Sequence, residues 1–307
     1  MRTSDEREQR RATRRFPDFF VVGHPKCGTS AMYEMLRQHP QVFMSPIKEP
    51  RYFNDDLHVP TETRMTESEY LKMFRGADHE QRLGEASPGY LRSYVAPGRI
   101  AAVNSDARII AILREPASFI HSLLLQGMRN GRVLTRDLRA VLDADESRPD
   151  MLQFGQYVKY VEQLERYRAV FPPGQVLVLV YEDYRRENAQ TMRQVFRFIG
   201  VDDAFEVEPT VVNPSGVRSL RLAALWAHFR DSEGPAYSAL RRTAKLTSTR
   251  QLHYRVRQTY RRFNTAPPPP ADPELLAELR RRFTPEVVRL SEYIGRDLCA
   301  LWGYPTG

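Results

Sequence analysis

The sequence predicts an α/β fold in three layers, with a mostly parallel central sheet and helices on both faces. Three observations point there. Residues 108–113 (RIIAIL) and 175–181 (QVLVLVY) are continuous apolar, β-branched runs, the pattern of strands buried on both faces. A third apolar run, 19–22 (FFVV), ends at Gly23. The segments between and after these runs repeat their apolar residues at helical spacing, and such alternation builds a parallel sheet. No internal repeat is visible, and 307 residues suffice for one substantial core, so a single domain over 16–307 is expected.

Composition bounds the partners. The chain has 46 Lys and Arg against 38 Asp and Glu, a net charge of +8, which attracts anions: a nucleotide, an acidic substrate or nucleic acid. The arginines at 7–15 stand among almost no apolar residues, so 1–15 is expected to be a disordered basic tail. Cys27 and Cys299 are the only cysteines, too few for a disulfide framework or a metal cluster, and both are read as reduced. No apolar run is long enough to span a membrane and no hydrophobic signal core precedes the first strand, which favours a cytoplasmic protein.

The first strand runs into His24, Pro25, Lys26, Cys27, Gly28, Thr29 and Ser30, then into a helix with Ala31, Met32, Met35 and Leu36 on one face. A strand-turn-helix junction of this kind aims backbone N–H groups, the positive end of the helix dipole and Lys26 into one concavity, a cradle for phosphate. Gly28 admits close backbone approach, and the hydroxyls of Thr29 and Ser30 can bond phosphate oxygens or cap the helix. The lysine comes before the glycine, so the loop is not the G-x-x-x-x-G-K-[ST] phosphate loop of nucleotide triphosphatases.

After His39-Pro40 ends that helix, residues 45–55 (SPIKEPRYFND) form a stiff extended loop between prolines. The loop is expected near the carboxyl end of the sheet, where open α/β folds bind ligands. Glu49 there is either a general base or an ion-pair partner of Lys48 or Arg51. Residues 66–82 read as a partly amphipathic helix carrying Tyr70, Leu71, Met73 and Phe74, and 83–91 (LGEASPGYL) follow, with Ser87 either lining the site or simply turning the chain.

The strand at 108–113 ends in Arg114-Glu115-Pro116, and a helix is expected from about 117 to 126, with Ser118 and Ser122 on one face. An arginine fork with a hydroxyl in the following helix grips a terminal phosphate. The polar stretch 127–154 is taken as a substrate lid, and 155–170 as an amphipathic helix. Glu182-Asp183 invites a magnesium-binding reading, but without a Walker loop a structural role is preferred. A helix at about 186–199 closes at Gly200. Residues 218–307 are expected to form a helical cap, in which the basic run 241–262 is a solvated face and a nucleic-acid contact is the alternative.

Three segments together carry a resemblance. Pro-Lys-x-Gly-Thr-Ser after the first strand resembles the 5′-phosphosulfate loop of sulfotransferases that use 3′-phosphoadenosine 5′-phosphosulfate (PAPS). Lys48-Glu49-Pro50-Arg51-Tyr52-Phe53 resembles the Glu-x-x-Phe-Phe segment of heparan sulfate sulfotransferases and their bacterial relatives. Arg114 with Ser122 eight residues on has the form of the family's 3′-phosphate motif. The resemblance implies a P-loop-like sulfotransferase fold and PAPS as donor, with 3′-phosphoadenosine 5′-phosphate (PAP) as product and no metal required. It implies a hydroxyl acceptor on a glycan or small molecule, an amine ranking second. Glu49 would be the base, Lys26, Cys27, Gly28, Thr29 and Ser30 would take the 5′-phosphate, and Arg114 and Ser122 the 3′-phosphate. Lys48, Arg51 and Ser87 would meet the acceptor. Two positions depart from the pattern: Arg51 stands where several relatives have His or Gln, and Ala86 where glycan-modifying members have lysine. The rival readings are a magnesium-dependent kinase or triphosphatase and a basic nucleic-acid binder. No nucleic-acid partner is expected.

Overall fold

A computed structural model describes residues 15–57, 64–78, 81–147, 153–210, 216–231 and 263–305. The expected basic tail, apart from Arg15, and the basic run 241–262 lie outside the described residues. In chain order the elements are β1 (Phe19–Gly23), α1 (Thr29–Leu36), β2 (Val42–Met44), α2 (Glu67–Lys72), β3 (Arg82–Ala86), α3 (Ala96–Val103), β4 (Arg108–Leu113) and α4 (Pro116–Arg129). There follow α5 (Leu138–Ser147), α6 (Phe154–Tyr157), α7 (Tyr160–Arg168), β5 (Val176–Val180), α8 (Tyr181–Arg186), α9 (Asn188–Ile199), β6 (Gly216–Val217), α10 (Leu220–Asp231), β7 (Thr265–Ala266), α11 (Pro273–Ile294) and α12 (Leu298–Trp302).

The described residues group into two compact units. The first takes those of Met1–Glu115, Gly155–Val212 and Phe283–Gly307, the second those of Pro116–Phe154 and Asn213–Arg282. The expected lid, 127–154, falls in the second unit, and the expected cap, 218–307, is divided between the two.

The first unit is built on a five-stranded sheet of order β2-β3-β1-β4-β5, parallel at every pairing. All five residues of β1 are buried, as are all of β4 except Arg108. The link from β1 to β2 runs one way across the sheet, and the link from β3 to β4 crosses back over β1. Because such crossovers are right-handed, α1 and α3 cover opposite faces. In the core, Phe53 meets Phe20, Tyr70 and Tyr90 edge-on, with Phe53 and Tyr70 ring centroids 5.4 Å apart.

The second unit contains α4, α5, α10 and the antiparallel β6–β7 pair. Arg139 of α5 reaches Glu274 and Glu278 at the start of α11, 3.4 and 3.1 Å away.

Candidate active site

Because β1 lies between β3 and β4, the segments leaving those three strands emerge side by side. The chain after β2 joins them. Ser45 N–H donates to the Gly84 carbonyl at 2.8 Å, Glu49 N–H to Ala86 at 3.0 Å, and Ser87 N–H to Val21 at 3.2 Å.

The turn between β1 and α1 is wound by two left-handed residues, Lys26 at φ 74° and Gly28 at φ 82°. Gly28 stands at the N-cap with no side-chain cap, so the opening amides of α1 are left for another partner. A β-carbon on Gly28 would lie 2.9 Å from the Tyr184 ring and 3.1 Å from Tyr181. Gly28→Ala therefore costs about 1–2 kcal/mol from the left-handed backbone alone, and pushes on two rings. A lowered Tm together with weakened nucleotide binding is the expected result.

Thr29 is buried and Ser30 is half-buried at the start of α1. Cys27 departs from the expectation of an anion contact. Its side chain is fully buried, and its amide closes the turn onto the His24 carbonyl at 3.3 Å. Burial pushes the thiol up to about 12, against the pull of Arg114, so it stays a neutral filler of the turn.

Arg114, the residue after β4, closes on this turn. Its Nη1 donates to the Lys26 carbonyl at 2.9 Å, and its guanidinium lies 4.8 Å from the centroid of the Tyr181 ring. Its Nε has no hydrogen-bond partner among the described residues. Tyr181 was not singled out from sequence, although it touches both the glycine turn and the arginine; its signal was its place directly after the fifth strand, at the carboxyl end of the sheet. Ser122 sits half-exposed on α4, in the second unit, whereas residues 26–30 and 114 belong to the first.

The turn around Arg114 is braced from behind. Glu182 accepts from the Glu115 N–H at 3.3 Å and from Trp302 Nε1 at 2.9 Å, while the Tyr304 hydroxyl donates to Glu115 at 2.7 Å. Asp183 is paired with Arg296. Both carboxylates are thus held by structural partners, and residues 302 and 304 of the last segment brace the arginine's turn.

In the loop after β2, Glu49 and Arg51 also adopt left-handed backbone, at φ 61° and 58°. Lys48 Nζ is 2.8 Å from one oxygen of Glu49 and Arg51 Nη2 is 3.1 Å from the other. Burial would raise this carboxyl, but the two cations overcome it and hold Glu49 below the usual carboxylate range. The Glu49 side chain keeps 35% of its accessible surface and Arg51 54%, so the group remains open to a partner. Both readings of Glu49 are therefore present in one place: it is ion-paired and it is reachable. Ser87 corrects the expectation that it lines the acceptor's side. It is 1% exposed, donates to Glu85 Oε1 at 2.6 Å and accepts from the Arg51 N–H at 3.5 Å.

Residues 16–214, well over half of the chain, match the family model described as "Sulfotransferase domain". The chain is similar to carbohydrate sulfotransferase 15 of Homo sapiens, 25% identical over 268 residues that cover 67% of this chain and 47% of that protein. It is also similar to the bifunctional heparan sulfate N-deacetylase/N-sulfotransferase 3 of Homo sapiens, 29% identical over 202 residues covering 61% and 22%. The chain thus spans about half, or less, of the length of these curated relatives. Among solved structures, a sulfotransferase from Alicyclobacillus acidocaldarius aligns with a TM-score of 0.68 and 25% identity, over 93% of this chain and 98% of that one. The parallel sheet, the glycine turn clasped by an arginine and the matched domain agree, and the chain belongs to the sulfotransferase family.

Proposed function

We propose that this chain transfers a sulfuryl group from PAPS to a hydroxyl of a glycan or small-molecule acceptor. The observation that carries the reading is the 2.9 Å contact of Arg114 with the Lys26 carbonyl, which joins two anion-binding elements at one point. The residues present suit a bisphosphorylated nucleotide. The glycine turn has no room for a β-carbon, the first amides of α1 have no side-chain cap, and Arg114 Nε has no partner among the described residues. Lys26, Gly28, Thr29 and Ser30 would hold the 5′-phosphate and Arg114 the 3′-phosphate, with Ser122 assigned to the latter on sequence spacing alone.

When bound, PAPS supplies an activated sulfuryl group, whose bond to the 5′-phosphate oxygen breaks as the acceptor oxygen bonds to sulfur. Glu49 takes the proton that the acceptor hydroxyl gives up. Lys48 and Arg51 keep Glu49 ionised over the neutral range, so the base is ready without a prior deprotonation. Lys26 places positive charge where the leaving phosphate oxygen gains negative charge. The rest is positioning, as in phosphoryl transfer. The relatives named for carbohydrate and heparan sulfate favour a glycan acceptor, and the cations flanking Glu49 favour an acidic one.

Isothermal titration with PAP and, separately, with ATP and magnesium decides between this reading and a kinase or triphosphatase. Binding of PAP without magnesium is expected; binding of ATP alone overturns the proposal. Incubation with PAPS and a panel of heparan, chondroitin and phenolic acceptors, read by mass spectrometry, is then expected to show the gain of one SO₃. A salt-dependent gel shift with random RNA or DNA would point to the nucleic-acid binder instead.

A further inference from the structure

Glu85, the fourth residue of β3, is fully buried, and its hydrogen-bond partners are all hydroxyls. Ser87 Oγ donates to one oxygen at 2.6 Å, Tyr70 of α2 donates to the other, and Tyr90 of the turn after β3 also donates to the carboxylate. Two of these hydroxyls have a second task. Ser87 Oγ accepts the N–H of Arg51 at 3.5 Å, and Tyr90 Oη accepts the N–H of Phe53 at 3.2 Å. Between them, the Ala86 carbonyl accepts the N–H of Glu49 at 3.0 Å. The loop that carries Glu49 is therefore pinned at alternate residues, 49, 51 and 53, by β3 and the turn beyond it.

A hydroxyl has one proton. It can present lone pairs to a backbone N–H only if that proton points elsewhere. An ionised carboxylate accepts and never donates, so Glu85 draws the protons of Ser87 and Tyr90 toward itself and leaves their lone pairs facing the loop. We infer that Glu85 is a positioning residue: it fixes the direction of two hydroxyls and thereby the backbone of the loop that carries Glu49. This role rests on Glu49 being the base of the proposed transfer.

The surroundings supply a titration. Burial raises the Glu85 carboxyl to about 7, although Ser87, Tyr70 and Tyr90 pull it down. Glu85 faces Tyr70 on α2, Tyr90 on the turn and Tyr167 on α7. Burial and the nearby carboxylate hold the first two well above the ordinary phenol value, and burial does the same for Tyr167, so all three remain donors at neutral pH. Because the folded value lies above that of a free carboxyl, the carboxylate form is present above about 7 and is lost as pH falls through it. A protonated Glu85 donates one hydrogen bond, which reverses one of the three hydroxyls; where that hydroxyl is Ser87 or Tyr90, its proton turns against a loop N–H.

The experiment is site-resolved amide hydrogen exchange on the wild-type chain and on Glu85→Gln, corrected for intrinsic rates, between pH 6 and 8. In the wild type, protection of Arg51 and Phe53 is expected to fall as pH drops through about 7, while Glu49, held by a carbonyl, changes little. In Glu85→Gln, whose amide donates as well as accepts, Arg51 or Phe53 is expected to exchange about tenfold faster with no dependence on pH, the effect of roughly one lost hydrogen bond. Flat wild-type protection across that range overturns the inference, and this arm does not depend on how the variant folds. Equal loosening of residues 49, 51 and 53 together with the β1 amides would also overturn it, since that marks general destabilisation. The readout is independent of turnover, so its failure is separable from a failure of Glu49 as base.

Discussion

Glu49→Gln is expected to leave the affinity for PAP unchanged and to lower sulfuryl transfer by roughly 10²–10⁴-fold, the range for loss of a general base. The glutamine keeps the shape and can still accept a hydrogen bond from Lys48 or Arg51, which lie 2.8 and 3.1 Å from the carboxylate oxygens. What it loses is the capacity to take a proton. The same two cations set the pH behaviour. Glu49 is held below the usual carboxylate range, so the acidic limb assigned to it lies lower than for a free glutamate. A second limb near 7 is expected from Glu85, whose carboxyl burial pushes up to about 7. The pH profile of kcat/KM thus separates two carboxylates, one in the loop after β2 and one in β3. Measured turnover equal to wild type in Glu49→Gln removes this residue from the role and leaves it a plain ion-pair partner.

The parts of this site legible in the sequence were those where local chemistry and fold agree. The 108–113 strand matches β4 residue for residue, and the strand at 19–22 extends only to Gly23, because continuous apolar runs have no stable place except inside the sheet. The helix at 186–199 forms over Asn188–Ile199 and closes at Gly200. The strand β3 was not legible. Its sequence, RLGEA, has a glycine and a glutamate where a strand would carry branched apolar residues. Gly84 is there because the ring of Phe19 and the sulfur of Met44 fill the space of a β-carbon, a tertiary fact with no local trace. Glu85 is tolerated because three hydroxyls converge on it from residues 70, 87 and 90.

Helix limits failed for similar reasons. The expected helix at 155–170 is broken near Lys159, whose ψ of 59° is not helical, into α6 and α7. In the expected cap, α11 runs through Pro285 to Ile294 although a proline ordinarily interrupts a helix. In the candidate site, Lys26, Gly28, Glu49 and Arg114 could be singled out from sequence because their charge or small size has a direct chemical reading. Tyr181, directly after β5, and Tyr304, just beyond the last helix, were hidden, since a tyrosine beside an element's end reads equally well as core.

Arg114→Ala is expected to weaken PAP binding by roughly 10–150-fold, corresponding to the 1.5–3 kcal/mol of a hydrogen bond to a charged group. The arginine stands one residue beyond β4, so its removal leaves the strand's pairing with β1 and β5 intact. Its loss acts twice. The guanidinium that would grip a terminal phosphate is gone, and so is the donor that holds the Lys26 carbonyl at 2.9 Å and with it the left-handed turn. Arg114→Lys separates these effects. A lysine keeps the charge but not the planar fork, so it can neither reach carbonyl and phosphate together nor lie flat over Tyr181 in the same way. Affinity between that of the wild type and the alanine variant is expected by calorimetry, with ATP binding no better than before. Equal PAP affinity in all three proteins contradicts the shared site, because two anion grips joined through one guanidinium cannot survive its removal unchanged.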